Sequence, residues 1–415
     1  MGRVMKKKLI GLLFGAGLVA GMLMMPGTQA TPQAVRGIEN AAGLDPFFRA
    51  LAAIKTRRRL EPVRVMHFGD SHTAADILTA EIRRNFKRDF GDGGAGLIPA
   101  RNPFSTPRRD AQTGTTSGWW IDGIAGKGAT DGIYGPAGFS LSTDRANERA
   151  WLQTNCNHFE VYYLKQPGGG RIDILIDGAS VLEEPLSLAS DAPAPDYFTF
   201  DTPADGHHRI EIRTLTTGKV RLLGIVTEHI KPGISYDVLG INGARAVRLL
   251  SWNDTAFVDN IVQRKPDLII LAYGTNEVTD DDWSVQSYER MFANVLRRFR
   301  RAAPQASILV YGPPDRSDNG KAVGKMPAMI EAQRRAAIEV GAAFWNSYAA
   351  MGGAGSMNSW AQQGLGLSDR VHLTSAGYIK MAGMFYNDLM ESYKLSTTTA
   401  RPPSKAPQPP RKGRP

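Results

Sequence analysis

The most constraining feature of the sequence is a change of periodicity on the two sides of Gly69-Asp70-Ser71-His72-Thr73. Residues 63–68 form a short, largely apolar run that predicts a strand, and residues 74–90 have the spacing of an amphipathic helix. The pattern therefore places a serine in a sharp turn between a strand and a helix. There its hydroxyl is exposed, and its backbone N–H points toward an anion at the start of the helix.

The same alternation returns in the second half of the chain. Apolar runs predict strands over residues 267–272, 307–311 and 342–345. Helical patterns cover residues 244–263, 287–301 and 327–340, and an earlier one covers residues 46–59 with Asp45 placed to cap it. This order predicts a mostly parallel sheet with helices on both faces. In such sheets function gathers at the carboxyl ends of strands, where the serine turn and the turn Gly274-Thr275-Asn276 both lie.

A β-rich stretch separates these two halves. Between residues 104 and 231, turns alternate with short β-prone runs at residues 159–164, 171–176, 197–200, 208–213 and 220–228. The pattern predicts an inserted β-sandwich comparable with jelly-roll carbohydrate-binding modules. Trp119, Trp120 and Trp151 either stack on sugar rings or fill the core of this sandwich.

The two ends of the sequence differ from the rest. Residues 1–30 combine four basic residues, an apolar run over residues 9–25 and a small-residue cleavage point, which predicts a secretory signal peptide. The alternative is a membrane anchor, because the run is near the lower length limit for spanning a bilayer. No second stretch of spanning length follows, so we expect an exported protein without a membrane span after cleavage, in the periplasm or at the cell surface. Residues 396–415 predict a disordered, basic, Pro-rich tail.

Charge and cysteine content exclude several functions. The net charge of +10 includes four charges from the first segment and five from the tail, which leaves +1 for the rest of the chain. No basic stripe interleaved with aromatic residues is present there, so we do not expect a nucleic-acid partner. The single cysteine, Cys156, allows no internal disulfide and has no neighbours with metal-ligand spacing. We expect it to be a semi-buried residue of the β-rich stretch.

The serine needs a base, and the base needs an orienting acceptor. Among the seven histidines, only His372 follows an aspartate, Asp369, at three residues' spacing within a predicted loop. This short gap lets the carboxylate hold the imidazole tautomer whose free nitrogen accepts the proton of Ser71. His67 and His72 flank the serine motif without such a partner, so we expect them to pack or shape the turn.

Attack on an ester creates an oxyanion that fixed donors stabilise. Asn276, at the end of its predicted strand, offers a side-chain amide. Gly243, within Gly240-Ile241-Asn242-Gly243-Ala244-Arg245, offers a backbone N–H that no side chain obstructs.

These four blocks resemble the SGNH hydrolase superfamily, which is named after the serine, glycine, asparagine and histidine that they carry. The matching segments are Gly69-Asp70-Ser71, Gly243, Gly274-Thr275-Asn276 and Asp369-Arg370-Val371-His372. The resemblance implies a flavodoxin-like three-layer α/β hydrolase domain, with Ser71 as nucleophile activated by Asp369 and His372. It also implies an oxyanion hole formed by Ser71 N–H, Gly243 N–H and Asn276, and neither a metal nor an organic cofactor. His72 and Glu277 depart from the common pattern, in which leucine and aspartate often stand at these positions.

The resulting domain prediction has five segments. They are a signal peptide (1–30), the first part of the hydrolase domain (31–103), the β-rich insert (104–231), the second part of the hydrolase domain (232–395) and the tail (396–415).

Within the superfamily, the chain resembles bacterial O-acetylpeptidoglycan esterases and related envelope O-acetyl esterases. Their form of the serine motif, the Gly-Thr-Asn-Glu turn, the glycine cluster at residues 90–96 and a β-rich insert are all present. The resemblance implies a serine esterase that removes acetyl groups from peptidoglycan or another envelope polysaccharide through an acetyl-enzyme on Ser71. Alternatives are an O-acetyltransferase that uses the same acetyl-enzyme, a non-catalytic glycan-binding envelope protein, and a lipase, although no lid-like helix is evident. The sequence leaves open the sugar, the acetylated hydroxyl and the oligomeric state.

Overall fold

The computed structural model describes residues 37–99, 101, 108, 110–123 and 131–399. The predicted signal peptide and residues 400–415 of the predicted tail lie outside these ranges. Across the residues so described, no helix is both long enough and apolar enough to cross a membrane.

The strands, in chain order, are β1 (Ile38–Glu39), β2 (Val63–Gly69), β3 (Gly94–Ile98), β4 (Gln112–Thr115), β5 (Trp120–Gly123), β6 (Phe139–Thr143), β7 (Arg149–Lys165), β8 (Arg171–Ile176), β9 (Ala179–Ser180), β10 (Leu186–Ser187), β11 (Ala194–Thr214), β12 (Val220–Glu228), β13 (Ile234–Gly240), β14 (Leu268–Ala272), β15 (Ser307–Tyr311), β16 (Ser317–Asp318), β17 (Lys321–Ala322) and β18 (Ala343–Trp345). The α-helices are α1 (Asp45–Lys55), α2 (Ser71–Ala74), α3 (Leu78–Phe90), α4 (Asp254–Arg264), α5 (Val285–Ala302), α6 (Met326–Glu339), α7 (Ser347–Met351), α8 (Ser356–Gln362) and α9 (Ser375–Thr399). Short 3₁₀ turns cover Ala41–Leu44, Ala246–Leu250 and Glu277–Thr279.

The first sheet has the order β1-β18-β15-β14-β2-β13. Only β1 runs antiparallel to its neighbour; the other pairings are parallel. Gly69, the last residue of β2, is level with Gly240 of β13 and with Ala272 of β14. The carboxyl ends of three adjacent strands therefore meet immediately before Ser71.

Helices cover both faces of this sheet because its strands are apolar on both faces. Met66 and Phe68 of β2 pack in one buried cluster with residues of α4, α5 and α6. Val63 and Val65 of the same strand pack in a second cluster with residues of α1, α3 and α9. The three-layer α/β arrangement is thus confirmed.

The described residues of the β-rich part of the chain form a second sheet, which has ten strands in antiparallel pairings. The first half of β7 pairs with β4 and with the second half of β11. Its second half pairs with β12 and with the first half of β11. β3 also joins this sheet by pairing with β12, although it precedes residue 104. The β-rich character of the stretch agrees with the prediction, whereas its assignment as a carbohydrate-binding sandwich stays a prediction.

A buried ion network joins the two sheets. Arg264, fully buried on α4, donates to both carboxylate oxygens of Asp237 on β13 at 2.8 and 2.9 Å. It also donates to Glu228 on β12 at 2.7 Å, and Arg64 on β2 pairs with the same glutamate at 2.7 Å. Each buried charge therefore has an opposite charge beside it, as burial requires.

Several element boundaries differ from the sequence prediction. The helix predicted over residues 74–90 begins only at Leu78, because Ala74 ends the short helix α2 and Asp76 adopts a left-handed conformation with φ 46°. Its carboxylate accepts hydrogen bonds from Thr79 at 2.8 Å and Arg83 at 3.1 Å, which stabilises this break. The helix predicted over residues 244–263 is likewise a 3₁₀ turn followed by α4, with Asn253 capping the helix by accepting the N–H of Ala256 at 3.0 Å.

The ends of two other helices also differ. Asp45 does not cap α1: it is the first residue of the helix, and its carboxylate accepts a hydrogen bond from the Ser396 hydroxyl at 2.9 Å. Helix α9 continues to Thr399, past the predicted boundary at residue 395. Its aromatic residues pack on α1 and α3, for example Tyr393 against Phe48. This packing stabilises the carboxyl-terminal part of the helix.

Candidate active site

The serine turn is shaped by close packing and a buried carboxylate. A Cβ atom on Gly69 would lie 2.1 Å from the Thr73 hydroxyl and 2.9 Å from the carbonyl oxygen of Ala272, so only glycine fits there. Asp70 follows and caps α2 by accepting the N–H of His72 at 3.0 Å. Burial raises the pKa of Asp70 to about 6 although hydrogen bonds oppose the rise. These contacts fix Ser71 as the first residue of the helix.

The structure brings Ser71, His372 and Asp369 together in one hydrogen-bonded chain. Ser71 Oγ lies 2.8 Å from His372 Nε2, and His372 Nδ1 lies 2.7 Å from Asp369 Oδ2. The other carboxylate oxygen accepts the backbone N–H groups of Val371 and His372 at 2.9 and 3.0 Å. With Nδ1–H donating to the carboxylate, Nε2 is free to accept the serine proton.

The electrostatics of Asp369 suit an orienting role. Partial burial raises its pKa, but hydrogen bonds from the ring and backbone of His372 outweigh that effect, so the net pKa is lowered. The carboxylate therefore stays charged opposite the imidazole, where it stabilises the imidazolium formed when His372 takes a proton. Arg370, between the two residues, adopts φ 57°, which lets the loop turn back on itself.

The predicted oxyanion donors lie on the loops that follow the neighbouring strands. Gly243 follows β13 with φ 73°, and apart from its two chain neighbours no described residue has an atom within 4 Å of the place a Cβ would occupy. Asn276 follows β14, and its Nδ2 donates to the carbonyl oxygen of Ala244 at 3.0 Å. The amide is thus tied to the loop that carries Gly243, and its second hydrogen has no protein acceptor among the residues described here. The assignment of Ser71 N–H, Gly243 N–H and Asn276 as oxyanion donors stays a prediction.

Glu277 holds these two loops together. Its Oε1 accepts the N–H of Ala246 at 2.8 Å and its Oε2 accepts the N–H of Gly274 at 3.1 Å. The side chain is buried, and burial raises its pKa to about 7. The sequence identified Glu277 only as the last residue of the Gly-Thr-Asn-Glu turn and as a departure from the broader family pattern, since neither of its hydrogen bonds can be read from the motif.

His67 and His72 have partners away from the serine. His67 Nδ1 lies 2.7 Å from the hydroxyl of Tyr236, and His72 Nδ1 lies 2.8 Å from the hydroxyl of Tyr378. Burial lowers the pKa of each histidine to about 3, so both are neutral. They pack around the turn, as expected. Throughout the described ranges no group of three or more His, Cys, Asp or Glu side chains has the arrangement of a metal site.

A protein family matches part of this chain, and a solved structure matches most of it. Residues 221–379 match the GDSL-like Lipase/Acylhydrolase family, and this range contains Gly243, Asn276, Asp369 and His372. A solved structure of a peptidoglycan O-acetylesterase superposes with a TM-score of 0.74 at 23% sequence identity, covering 86% of this chain and 99% of that chain. The chain resembles the SGNH hydrolases. At this identity the superposition shows a shared fold, and the family match together with the Ser–His–Asp chain confirms the predicted class, a serine esterase acting on carboxylic ester bonds.

More distant structures belong to carbohydrate esterases. A family two carbohydrate esterase from Cellvibrio japonicus matches at 15% identity with a TM-score of 0.30, covering 72% of this chain and 98% of that chain. One from Corynascus thermopiles with a carbohydrate binding domain matches at 13% identity with a TM-score of 0.32, covering 66% and 99%. No curated protein sequence matches the chain.

Proposed function

We propose that this protein is an exported esterase that removes acetyl groups from hydroxyls of peptidoglycan or another cell-envelope polysaccharide. The observation that carries the proposal is the continuous chain from Ser71 Oγ through His372 to Asp369, with distances of 2.8 and 2.7 Å. The substrate class rests on the peptidoglycan O-acetylesterase whose fold this chain shares over nearly its whole length. The location, periplasm or cell surface, rests on the composition of residues 1–30.

The reaction follows from the roles that the geometry permits. Ser71 Oγ attacks the acetyl carbonyl carbon while His372 Nε2 takes its proton, and the carbonyl oxygen becomes an oxyanion facing Ser71 N–H, Gly243 N–H and Asn276. The C–O bond to the sugar then breaks, and His372 returns the proton to the sugar oxygen. Water attacks the resulting acetyl-enzyme, giving up a proton to His372, and acetate leaves as Ser71 Oγ is protonated again.

We propose that the second sheet positions the glycan. Trp119 is buried and Trp151 is covered on one side by the Arg209 guanidinium, 4.3 Å from its ring. Trp120 is 37% exposed and is thus the tryptophan of the three best placed to stack on a sugar. Trp120→Ala should reduce kcat/KM on polymer at least about threefold more than on a small acetyl ester, since one stacking contact is worth about 1 kcal/mol. Equal losses on the two substrates would contradict this role.

The function is tested by acetate release. O-acetylated peptidoglycan and acetylated xylan are incubated with the wild type, with Ser71→Ala and with Ser251→Ala, a matched serine substitution on an exposed turn. Free acetate from the wild type and Ser251→Ala, but not from Ser71→Ala, is the expected result. Adding a sugar acceptor in parallel separates the alternatives: acetyl found on the acceptor with little free acetate would mean a transferase. Acetate release that survives in Ser71→Ala would exclude the proposed nucleophile.

A further inference from the structure

Arg316 lies between the two halves of the candidate active site. Its Nη1 donates to the carbonyl oxygen of Thr275 at 2.7 Å, and Thr275 immediately precedes Asn276. The backbone N–H of the next residue, Ser317, donates to the carbonyl oxygen of Arg370 at 2.9 Å, inside the loop that carries the triad base. The guanidinium is therefore anchored between the predicted oxyanion amide and the His372 loop.

The charge of Arg316 is not matched by an ion pair. Asp318, Asp369 and Asp70 are close enough to act on it electrostatically, yet none forms an ion pair with it within the part of the chain that the structure describes. The side chain is half-buried, and its enclosed Nε has no hydrogen-bond partner among the residues whose structure is described. Removing a charge from water without a counter-ion is unfavourable, so an anion at this position would stabilise the site.

One other arginine provides a structural comparison. Arg300, on α5, is also half-buried and donates through Nη1 to a backbone carbonyl oxygen, that of Ala306, at 2.6 Å. Ala306 precedes β15, so Arg300 lies at the amino-terminal edge of the sheet, opposite the serine turn. Both arginines therefore anchor a backbone carbonyl group, and Arg316 differs in lying at the catalytic edge, beside Thr275 and the His372 loop.

We propose that Arg316 is a specificity-determining residue that binds a carboxylate of the acetylated glycan beside the ester to be cleaved. Thr275 takes one Nη1 hydrogen and Nε is enclosed, which leaves Nη2 and the second Nη1 hydrogen without a protein acceptor among the described residues. This end of the guanidinium can donate two parallel hydrogen bonds to a carboxylate, the bidentate arrangement that arginine forms best. The proposal rests on the proposed function and adds that the preferred substrates are acidic.

The test compares matched acetyl esters. The first is O-acetylated N-acetylmuramic acid, whose lactyl group carries a free carboxylate, and the second is its neutral carboxamide. The third is the amide that its lactyl group forms with L-alanine, so that the free carboxylate lies on the attached amino acid. Each is assayed with the wild type, Arg316→Gln, Arg316→Lys and Arg300→Gln.

For the wild type we expect a preference for one carboxylate ester over the carboxamide of about tenfold or more in kcat/KM, expressed mainly in KM. The first or third ester then identifies whether the sugar or the peptide supplies the carboxylate. Arg316→Gln should abolish the preference, Arg316→Lys should keep part of it, and Arg300→Gln should keep all of it. Equal turnover of the three esters by the wild type, or an unchanged preference in Arg316→Gln, would overturn the proposal.

A separate measurement distinguishes failure of the proposed function from failure of this subsite. If the wild type cleaves none of the three esters, the proposed sugar is wrong. An inhibition assay then tests whether Arg316 still binds a carboxylate. Hydrolysis of para-nitrophenyl acetate is then followed with N-acetylmuramic acid or its carboxamide as competitor. Inhibition at least about tenfold stronger by the acid, lost in Arg316→Gln, would support a carboxylate subsite, and equal inhibition would exclude it.

Discussion

Replacing Glu277 with glutamine tests how far the candidate active site depends on one buried carboxylate. The side chain is 4% exposed, and its two oxygens accept the N–H groups of Ala246 at 2.8 Å and Gly274 at 3.1 Å. Glutamine has nearly the same shape but only one acceptor oxygen, so one of these N–H groups would face an NH₂ group. Leaving a buried donor unsatisfied costs about 1–3 kcal/mol.

The unsatisfied N–H group in Glu277→Gln should lower kcat. Ala246 lies shortly after Gly243 and Gly274 lies shortly before Asn276, so the lost hydrogen bond should displace one of the predicted oxyanion donors. Removing such a donor outright costs about 100- to 1000-fold in kcat, and we expect displacement to cost about 10- to 100-fold. KM should change less than about twofold, because an interaction made only in the transition state is affected. Steady-state hydrolysis of para-nitrophenyl acetate at about pH 8, where Glu277 is ionised, measures both constants, with the exposed substitution Glu339→Gln as control.

The same variant should change the pH dependence of stability. Burial raises the pKa of Glu277 from 4.5 to about 7, so the folded protein binds a proton more tightly than the unfolded chain. The contribution to stability is therefore complete below pH 4.5 and is lost as the pH rises toward 7, a difference of about 3 kcal/mol. Glutamine does not titrate, so the variant should lack this decline. Urea denaturation at pH 4.5 and 7.5 measures it, and an identical decline in both proteins would refute the reasoning.

Two further substitutions test the triad and the join between the sheets. Asp369→Asn should lower kcat by about 100- to 10000-fold with KM nearly unchanged. We expect a loss near the lower end of this range, because the Asp369 carboxylate is 46% exposed and water can replace part of its effect. A change confined to KM would contradict the orienting role. Arg264→Met should lower the free energy of unfolding by about 3–5 kcal/mol, because Glu228 and Asp237 would remain buried without their shared partner. Urea denaturation measures this loss, and a value below about 1 kcal/mol would contradict the account.

The sequence predicted elements well where apolar runs are bounded by turn residues. The strands at residues 171–176, 220–228 and 307–311 have the predicted bounds, since burial on both faces makes such runs continuous. The Ser71 turn and the Asp369–His372 pair could also be found, because their spacing is local. Positions that depend on distant partners could not. The break before α3 rests on the contact of Asp76 with Arg83, which no periodicity records.

The same limit applies to the residues that support the site. Glu277 accepts a hydrogen bond from a backbone group 31 positions earlier in the chain. Arg316 belongs to no recognised motif, and its place at the site follows from one backbone pairing of Ser317 with Arg370. The sequence shows that Glu277 and Arg316 are charged residue types, but only the three-dimensional structure shows which backbone groups they contact.

The hydrogen bond between Ser71 and His372 joins residues 301 positions apart in the chain. The nucleophile is made early in synthesis, and its base becomes available only after nearly all of the described chain has emerged. Contacts of such long sequence separation form late because the loop that they close is costly in entropy. Turnover therefore reports on completed tertiary structure: during refolding, hydrolytic activity should return only after the first sheet and the loop that carries His372 have assembled. A chain that lacks the segment with Asp369 and His372 would carry the nucleophile without its base, and it would not cleave the ester.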